Sequence, residues 1–489
     1  MHCHPVPTAL LAGLSLAAVA HAQTRLPFGE QPAVPFHTDQ SDIDSGRLRF
    51  RELFDRGGLL FAARFNTLDG AGRPGATGNG TPSARVIGSA PARIRTSGPD
   101  ADSCAGCHNQ PEVGGAGDFV ANVFVLAQVR DPITESVGAQ FSNERNTLGM
   151  HGAGPIEMLA REMTAELIAQ RTDGVTRARS TNQDVTVELR AKGVRFGSLV
   201  AHADGTVDTA GVVGVNTDLI VRPFHQKGVV VSLREFSNNA MNHHHGMESV
   251  ERFGVARTGS DDFDGDGVRD ELSVGDITAV SVWQAALQTP GRLIPRDPVR
   301  RAAMNAGERL FEQIGCASCH VPAMELDSPL YTEPNPYNPA GNLRPQDVAR
   351  PFAFDMTREG PSPRLERTRH GKAIVRAYTD LKRHVICDAQ DPFFLNERLV
   401  QGGVALDQFL TRKLWDCGNT APYGHRGDLS TLTEAILHHA GEARPQRDAF
   451  ARLSREEQQA IVEFLKSLVI LPAGSERVEL EGEHERGRR

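Results

Sequence analysis

The chain has 489 residues and a formal net charge of -8, which leaves room for two or three domains. Its Lys and Arg residues form no basic stripe, and this argues against nucleic acid as a partner. Past the N-terminus no segment is long and apolar enough to span a bilayer.

Residues 8–20 are an apolar, Ala- and Leu-rich run, and Ala20-His21-Ala22 reads as a small-x-small cleavage site. His2 and His4 stand where a signal peptide usually carries Lys or Arg, but the run is too short for a membrane anchor. Residues 1–22 are therefore expected to be a signal peptide, and the mature chain to be periplasmic or secreted. Residues 47–65 have helical apolar spacing with an expected break at Gly57. A Gly/Pro/Ser-rich loop over 66–103 leads into Cys104-Ala105-Gly106-Cys107-His108. Residues 156–170 read as helix. The region of about 185–236 reads as a β-rich insertion, with runs at 186–189 and 228–233. Residues 272–287 return to a helical pattern that Thr289-Pro290-Gly291 stops.

A second unit is expected over 296–474, after a first over 23–295. It opens with an amphipathic helix over 299–314 running into Cys316-Ala317-Ser318-Cys319-His320. Residues 325–350 read as a Pro/Asn-rich loop. A helix over 429–439 has Ser430 or Thr431 to cap it and Glu434 to close a capping box, and a last helix over 454–468 has Ser454 and Glu457. Residues 475–489 are a charged tail, expected to be disordered.

The two pentapeptides carry the chemistry. Cys-x-x-Cys-His is the attachment signal for c-type haem: two cysteines a helical turn apart form thioethers, and the histidine ligates iron. A zinc knuckle or redox dithiol would not require the trailing His. Two covalent haem c groups are expected, held by Cys104, Cys107 and His108 and by Cys316, Cys319 and His320. Of the seven cysteines, Cys3 leaves with the signal peptide and four hold haem. Cys387 and Cys417 remain as a disulfide pair for an oxidising compartment, or as two separate buried thiols.

An Asp-rich loop over 262–271 matches an EF-hand loop at positions 1, 3, 5, 6 and 9. Asp262, Asp264, Asp266 and Asp270 are its candidate calcium ligands. Position 12 is Ser273, so a bidentate carboxylate must come from elsewhere, with Glu271 a candidate.

The stretch after the second pentapeptide sharpens the reading. Thr379-Asp380-Leu381 followed by His384, then Pro422-Tyr423-Gly424-His425-Arg426-Gly427 and Leu432-Thr433-Glu434-Ala435, resemble the signature blocks of the bacterial di-haem cytochrome c peroxidase superfamily, in its branch of di-haem (thiol) oxidoreductases. The resemblance covers most of residues 45–470. One departure is the order His425-Arg426-Gly427-Asp428, where the family has His-Asp-Gly. In the peroxidases a Met fourteen residues after that His ligates the high-potential haem; the position here is His439, so the resemblance implies a bis-histidine second haem, with His438 the alternative.

The implied architecture is mostly α, two cytochrome c-type haem domains with the β-rich insertion in the first. The implied function is a peroxidase-like oxidoreductase. Electrons from a small redox-protein donor enter at the second haem and pass by way of Trp283 or Trp415, and peroxide or dioxygen is reduced at the first. Candidate distal groups at the first haem are Met150, His151 and the run His243-His244-His245, with His244 and His245 the catalytic candidates for moving a proton between peroxide oxygens. The resemblance also implies calcium. The rival readings are a dioxygen-using oxygenase of the rubber-oxygenase type and a non-enzymatic di-haem electron carrier.

Overall fold

A computed structural model describes residues 28–72, 101–118, 120–124 and 142–482. The signal-peptide reading and most of the loop before the first pentapeptide lie outside the described residues. The described residues fall into two units, divided between Gln31 and Pro32.

Helix α1 (Gln40–Asp44) precedes α2 (Phe50–Ala62), which runs unbroken through Gly57 and Gly58. The reason is packing. A Cβ on Gly57 would stand 2.1 Å from the carbonyl oxygen of Ala279 in the facing helix, so glycine permits close approach where the local pattern suggested a stop. After the single turn α3 (Cys104–Cys107) come the paired strands β1 (Val120–Phe124) and β2 (Ser142–Asn146). Helix α4 (Ala153–Thr181) is 29 residues long and far outruns the expected 156–170. Its C-terminal half lies on the antiparallel sheet of β3 (Val185–Ala191), β4 (Val194–Ala201) and β5 (Val207–Asp208), where a Cβ on Gly174 would meet Val187 at 2.4 Å.

The β-rich insertion thus ends at residue 208. The valine run at 228–233 makes one isolated bridge, Phe224 to Val230. Ser232 Oγ then accepts from Glu235 N–H and starts α5 (Leu233–Ala240). A π-helical turn, Met241–His245, continues it. Two single turns, α6 (Val250–Phe253) and α7 (Val255–Thr258), lead to the Asp-rich loop and α8 (Val274–Ala285), which Ser273 and Asp276 close with a capping box.

Strand β6 (Gly291–Pro295) precedes α9 (Pro298–Gln313), capped by Asp297. Seven short strands follow. These are β7 (Met324–Leu326), β8 (Leu330–Glu333), β9 (Phe352–Asp355), β10 (Glu366–Arg367), β11 (Ala373–Val375), β12 (Arg383–Val385) and β13 (Gln408–Leu410). Helices α10 (Leu432–Leu437), α11 (Arg444–Arg452) and α12 (Arg455–Ser467) close the fold, with capping boxes at Thr431/Glu434 and Ser454/Glu457. Each such cap stabilises its helix by about 1 kcal/mol. Helices α9 and α12 pack so closely that a Cβ on Gly307 would lie 1.9 Å from the Ala460 oxygen. Strand β14 (Leu468–Val469) pairs with β6, as does β15 (Glu479–Gly482), so part of the charged tail is ordered in a sheet.

The expectation of a mostly α fold is overturned. Helix accounts for 35% and strand for 16%, in several small sheets. The strands between 324 and 410 are runs of two to four residues, too short to display a period-2 pattern, and distant partners such as β7 with β11 make them strands. The expected disulfide is also absent. Cys387 and Cys417 are buried separately, Cys387 Sγ donating to the Asp407 carbonyl and Cys417 Sγ to that of Leu465. Among the described residues no helix is long and apolar enough to cross a membrane.

Candidate functional site: two adjoining cavities

The two pentapeptides line two cavities. The larger, of about 280 Å³, is bordered by Cys316, Cys319 and His320, by apolar side chains including Phe311, Phe450 and Leu465, and by His384, His425 and His439. Gly315, at φ 87°, turns the chain out of α9 into the 3-10 turn Cys316–Ser318. His320 Nδ1 donates to the Tyr378 carbonyl at 3.0 Å, which leaves Nε2 for the cavity. Tyr378 and Leu381 hold this signature loop in left-handed backbone, at φ 52° each, a cost of about 1 kcal/mol per residue. Burial, and then repulsion from His439, lowers the pKa of His320 to about 4, so the ring is neutral and able to donate a lone pair.

His439 lies two residues beyond α10. Its Nδ1 donates to the Ala435 carbonyl at 2.7 Å, and burial lowers its pKa. His438 does not line the cavity: it stacks on Phe393 at 3.9 Å, with Nδ1 3.4 Å from Asp391. His384 lies between two carboxylates, 2.8 Å from Asp380 and 2.7 Å from Glu442. Burial opposes its charge, but the hydrogen bond to Asp380 outweighs that and raises its pKa to about 11. His425 packs against Phe409 at 4.5 Å, and its Nε2 is 3.8 Å from Glu397. The exchanged pair after it has its own partners: Arg426 binds Glu144, and Asp428 accepts from Asn396 at 3.4 Å.

The smaller cavity, of about 140 Å³, is bordered by Cys104, Cys107 and His108, with Arg145, Met150, His225, His244 and His245 on its walls. Burial lowers the pKa of His108 to about 4. The π-helical turn after α5 brings His244 and His245 to this cavity. His245 Nδ1 donates to the Ala101 carbonyl, and its Nε2 is 3.5 Å from Cys104 Sγ. His151 and His243 do not line it. His225 does, and the sequence reading missed it. It adopts φ 61°, in the left-handed region that few non-glycine residues occupy. Burial, with Arg145 and Arg412 nearby, lowers its pKa to about 3. Its only sequence signal is its residue type.

The cavities share a wall made of residues 146–149, Gln226 and residues 410–413. Gln226 stitches it, its side-chain amide donating to the Asn146 carbonyl at 3.0 Å and its own carbonyl accepting from Leu410 N–H at 2.9 Å. Neither Trp283 nor Trp415 lines either cavity. Trp283 packs on Phe61 at 4.4 Å, and Trp415 is buried against Gly152.

In the Asp-rich loop, carboxylates of Asp262, Asp264 and Asp266 lie within 4.8 Å of one another, and Asp264 belongs to a second such set with Glu248 and Glu271, all three buried. Asp270 joins neither set. Glu248, distant in sequence, was not foreseen.

Residues 378–468 match the family described as "Di-haem oxidoreductase, putative peroxidase". That region includes His384, His425 and His439, while both pentapeptides lie outside it. No curated protein matches the chain. Among solved structures, hydrazine synthase from Kuenenia stuttgartiensis is 14% identical, with a TM-score of 0.36 over 94% of this chain and 100% of that one. A MauG-like protein associated with microbial copper homeostasis is 16% identical, with a TM-score of 0.25 over 55% of this chain and 77% of that one. These likenesses carry no argument about activity. A di-haem family implies haem cofactors, and the residues present fit such groups. Each cavity is largely apolar, presents a Cys-x-x-Cys-His, and has a half-buried imidazole held neutral.

Proposed function

We propose that this chain is a periplasmic di-haem c oxidoreductase that takes electrons at the C-terminal cavity and reduces peroxide at the N-terminal one. The observation that carries this reading is the common wall: the two Cys-x-x-Cys-His segments border cavities that share residues 146–149 and 410–413, the proximity that electron exchange requires.

Cys316 and Cys319 would hold one haem covalently, with His320 and His439 available to ligate its iron, and Cys104, Cys107 and His108 would hold the other. Haem iron supplies the redox chemistry when bound; the protein sets access, ligation and local charge. The carbonyls of Tyr378 and Ala435 fix the tautomers of His320 and His439 and so aim both Nε2 atoms at one space. His225 and His244 border the N-terminal cavity and would move a proton during peroxide reduction, while the ring nitrogens of His245 contact the Ala101 carbonyl and Cys104 Sγ. We assign calcium to Asp262, Asp264 and Asp266, because carboxylates this close repel unless a cation lies among them.

The three histidines that line the N-terminal cavity besides His108 favour one alternative, a di-haem electron carrier with a histidine closing the second iron. Electron paramagnetic resonance of the ferric protein separates the two. The expected result is one high-spin and one low-spin haem, with peroxide turnover from a reduced cytochrome donor. Two low-spin signals without turnover would establish the carrier, and turnover with dioxygen alone the oxygenase.

A further inference from the structure

Residues 410–413 leave β13 and form part of the wall common to both cavities. Two of them are cations. Lys413 is neutralised, its Nζ lying 2.5 Å from Asp416 Oδ2. Arg412 is not: it makes no hydrogen bond or ion pair with any described residue, and the carboxylate that acts on it is the same Asp416. Other cations on these walls have anions of their own, Arg145 with Glu397 at 2.5 Å and Arg447 with Asp448 at 2.7 Å.

A guanidinium stays protonated, and burying it without an anion is unfavourable. Burial does work against the charge on Arg412, with Asp416 only partly offsetting it. Its planar fork suits carboxylates, which it binds bidentately. Haem carries two propionate carboxylates on one edge, and Arg412 borders both haem cavities.

We propose that Arg412 is a carboxylate anchor common to the two cavities, receiving a propionate from the haem in each. This rests on the reading that both cavities hold haem. One cation beside two groups ties their properties together, since its charge favours the reduced form of each iron.

The test uses the full-length holoprotein and the variants Arg412→Gln and Arg412→Lys. Haem is first counted per chain by alkaline pyridine spectra. A wild-type count other than two overturns the reading of the cavities, and the anchor with it. With two haems present, Arg412→Gln is expected to lower both midpoint potentials in a spectroelectrochemical titration, independently of chloride. Movement of one potential only, or of neither, overturns the anchor while leaving the haem reading intact. Wild-type potentials that track chloride concentration, with the dependence lost in Arg412→Gln, would instead make a small inorganic anion the occupant. Should Arg412→Gln not accumulate, Arg412→Lys keeps the charge and removes the fork. The propionate bending modes of both haems in resonance Raman spectra are then expected to shift, and unchanged modes overturn the proposal.

Discussion

His320 and His439 border one cavity, and each has already given its Nδ1 hydrogen to a backbone carbonyl, His320 to Tyr378 and His439 to Ala435. Two neutral rings that keep Nε2 free of a proton form a pair suited to ligate a metal.

The first prediction removes one member of that pair. His439→Ala should convert the low-spin haem to a high-spin or water-ligated form while both haems stay covalently attached. Turnover with an external donor should fall by orders of magnitude, because the input site has changed ligation. His438→Ala should leave the spectrum unchanged, since His438 lies on Phe393 outside the cavity. Electron paramagnetic resonance of both variants reads the difference, and an intact low-spin signal in His439→Ala would rule out the assignment.

A second prediction concerns the N-terminal cavity. His225→Gln and His244→Gln should slow the reaction with peroxide, by about 100-fold or more for whichever ring moves the proton. Haem content and the low-spin spectrum should not change. His245→Gln should instead disturb the Cys104 segment, because its ring spans the Ala101 carbonyl and Cys104 Sγ. Stopped-flow mixing with peroxide separates these effects; equal rates in all three variants would place the proton transfer elsewhere.

The Asp-rich loop gives a third. Chelator should lower the melting temperature of the wild-type protein, and added calcium should restore it, since a ligand bound only to the native state stabilises that state. Asp264→Asn should abolish the response, because Asp264 belongs to both carboxylate sets. A melting curve indifferent to chelator and calcium would dismiss the assignment.

The fourth is a pH dependence. His37 Nδ1 lies 2.6 Å from Asp276, and this hydrogen bond raises the His37 pKa against the opposing effect of burial. A histidine whose folded pKa exceeds its unfolded value of about 6.5 adds stability below that value. The contribution is lost as pH rises through the folded pKa. Thermal stability should therefore decline as pH climbs from 6.5 toward and past that raised value, modestly, because the ring is 43% exposed. His37→Gln should flatten that part of the profile in calorimetry.

The parts of the candidate site that are local could be read from the sequence. The spacing within Cys104–His108 and Cys316–His320 needs one helical turn and no distant partner. The caps at Thr431 and Ser454 need only a glutamate three residues on, and both boxes formed. Even the signature at 379–384 is a short-range pattern, and the family match begins there.

What remained depends on groups far apart in the chain. Gly57 reads as a helix breaker until Ala279 of α8 packs against it, and then glycine is what fits. The strands from β7 to β13 are too short to be seen without their partners, which is why a mostly α fold was expected and a mixed one is found. Between two adjacent histidines, sequence offers no preference; the backbone path after α10 brings His439 and not His438 to the cavity. The common wall is built from segments near residues 146, 226 and 410, and Arg412 acquires its position between two cavities only when those segments meet. Sequence determined which chemical groups are available. Tertiary packing decided which of them share a space, because burial and distance are properties of the folded chain.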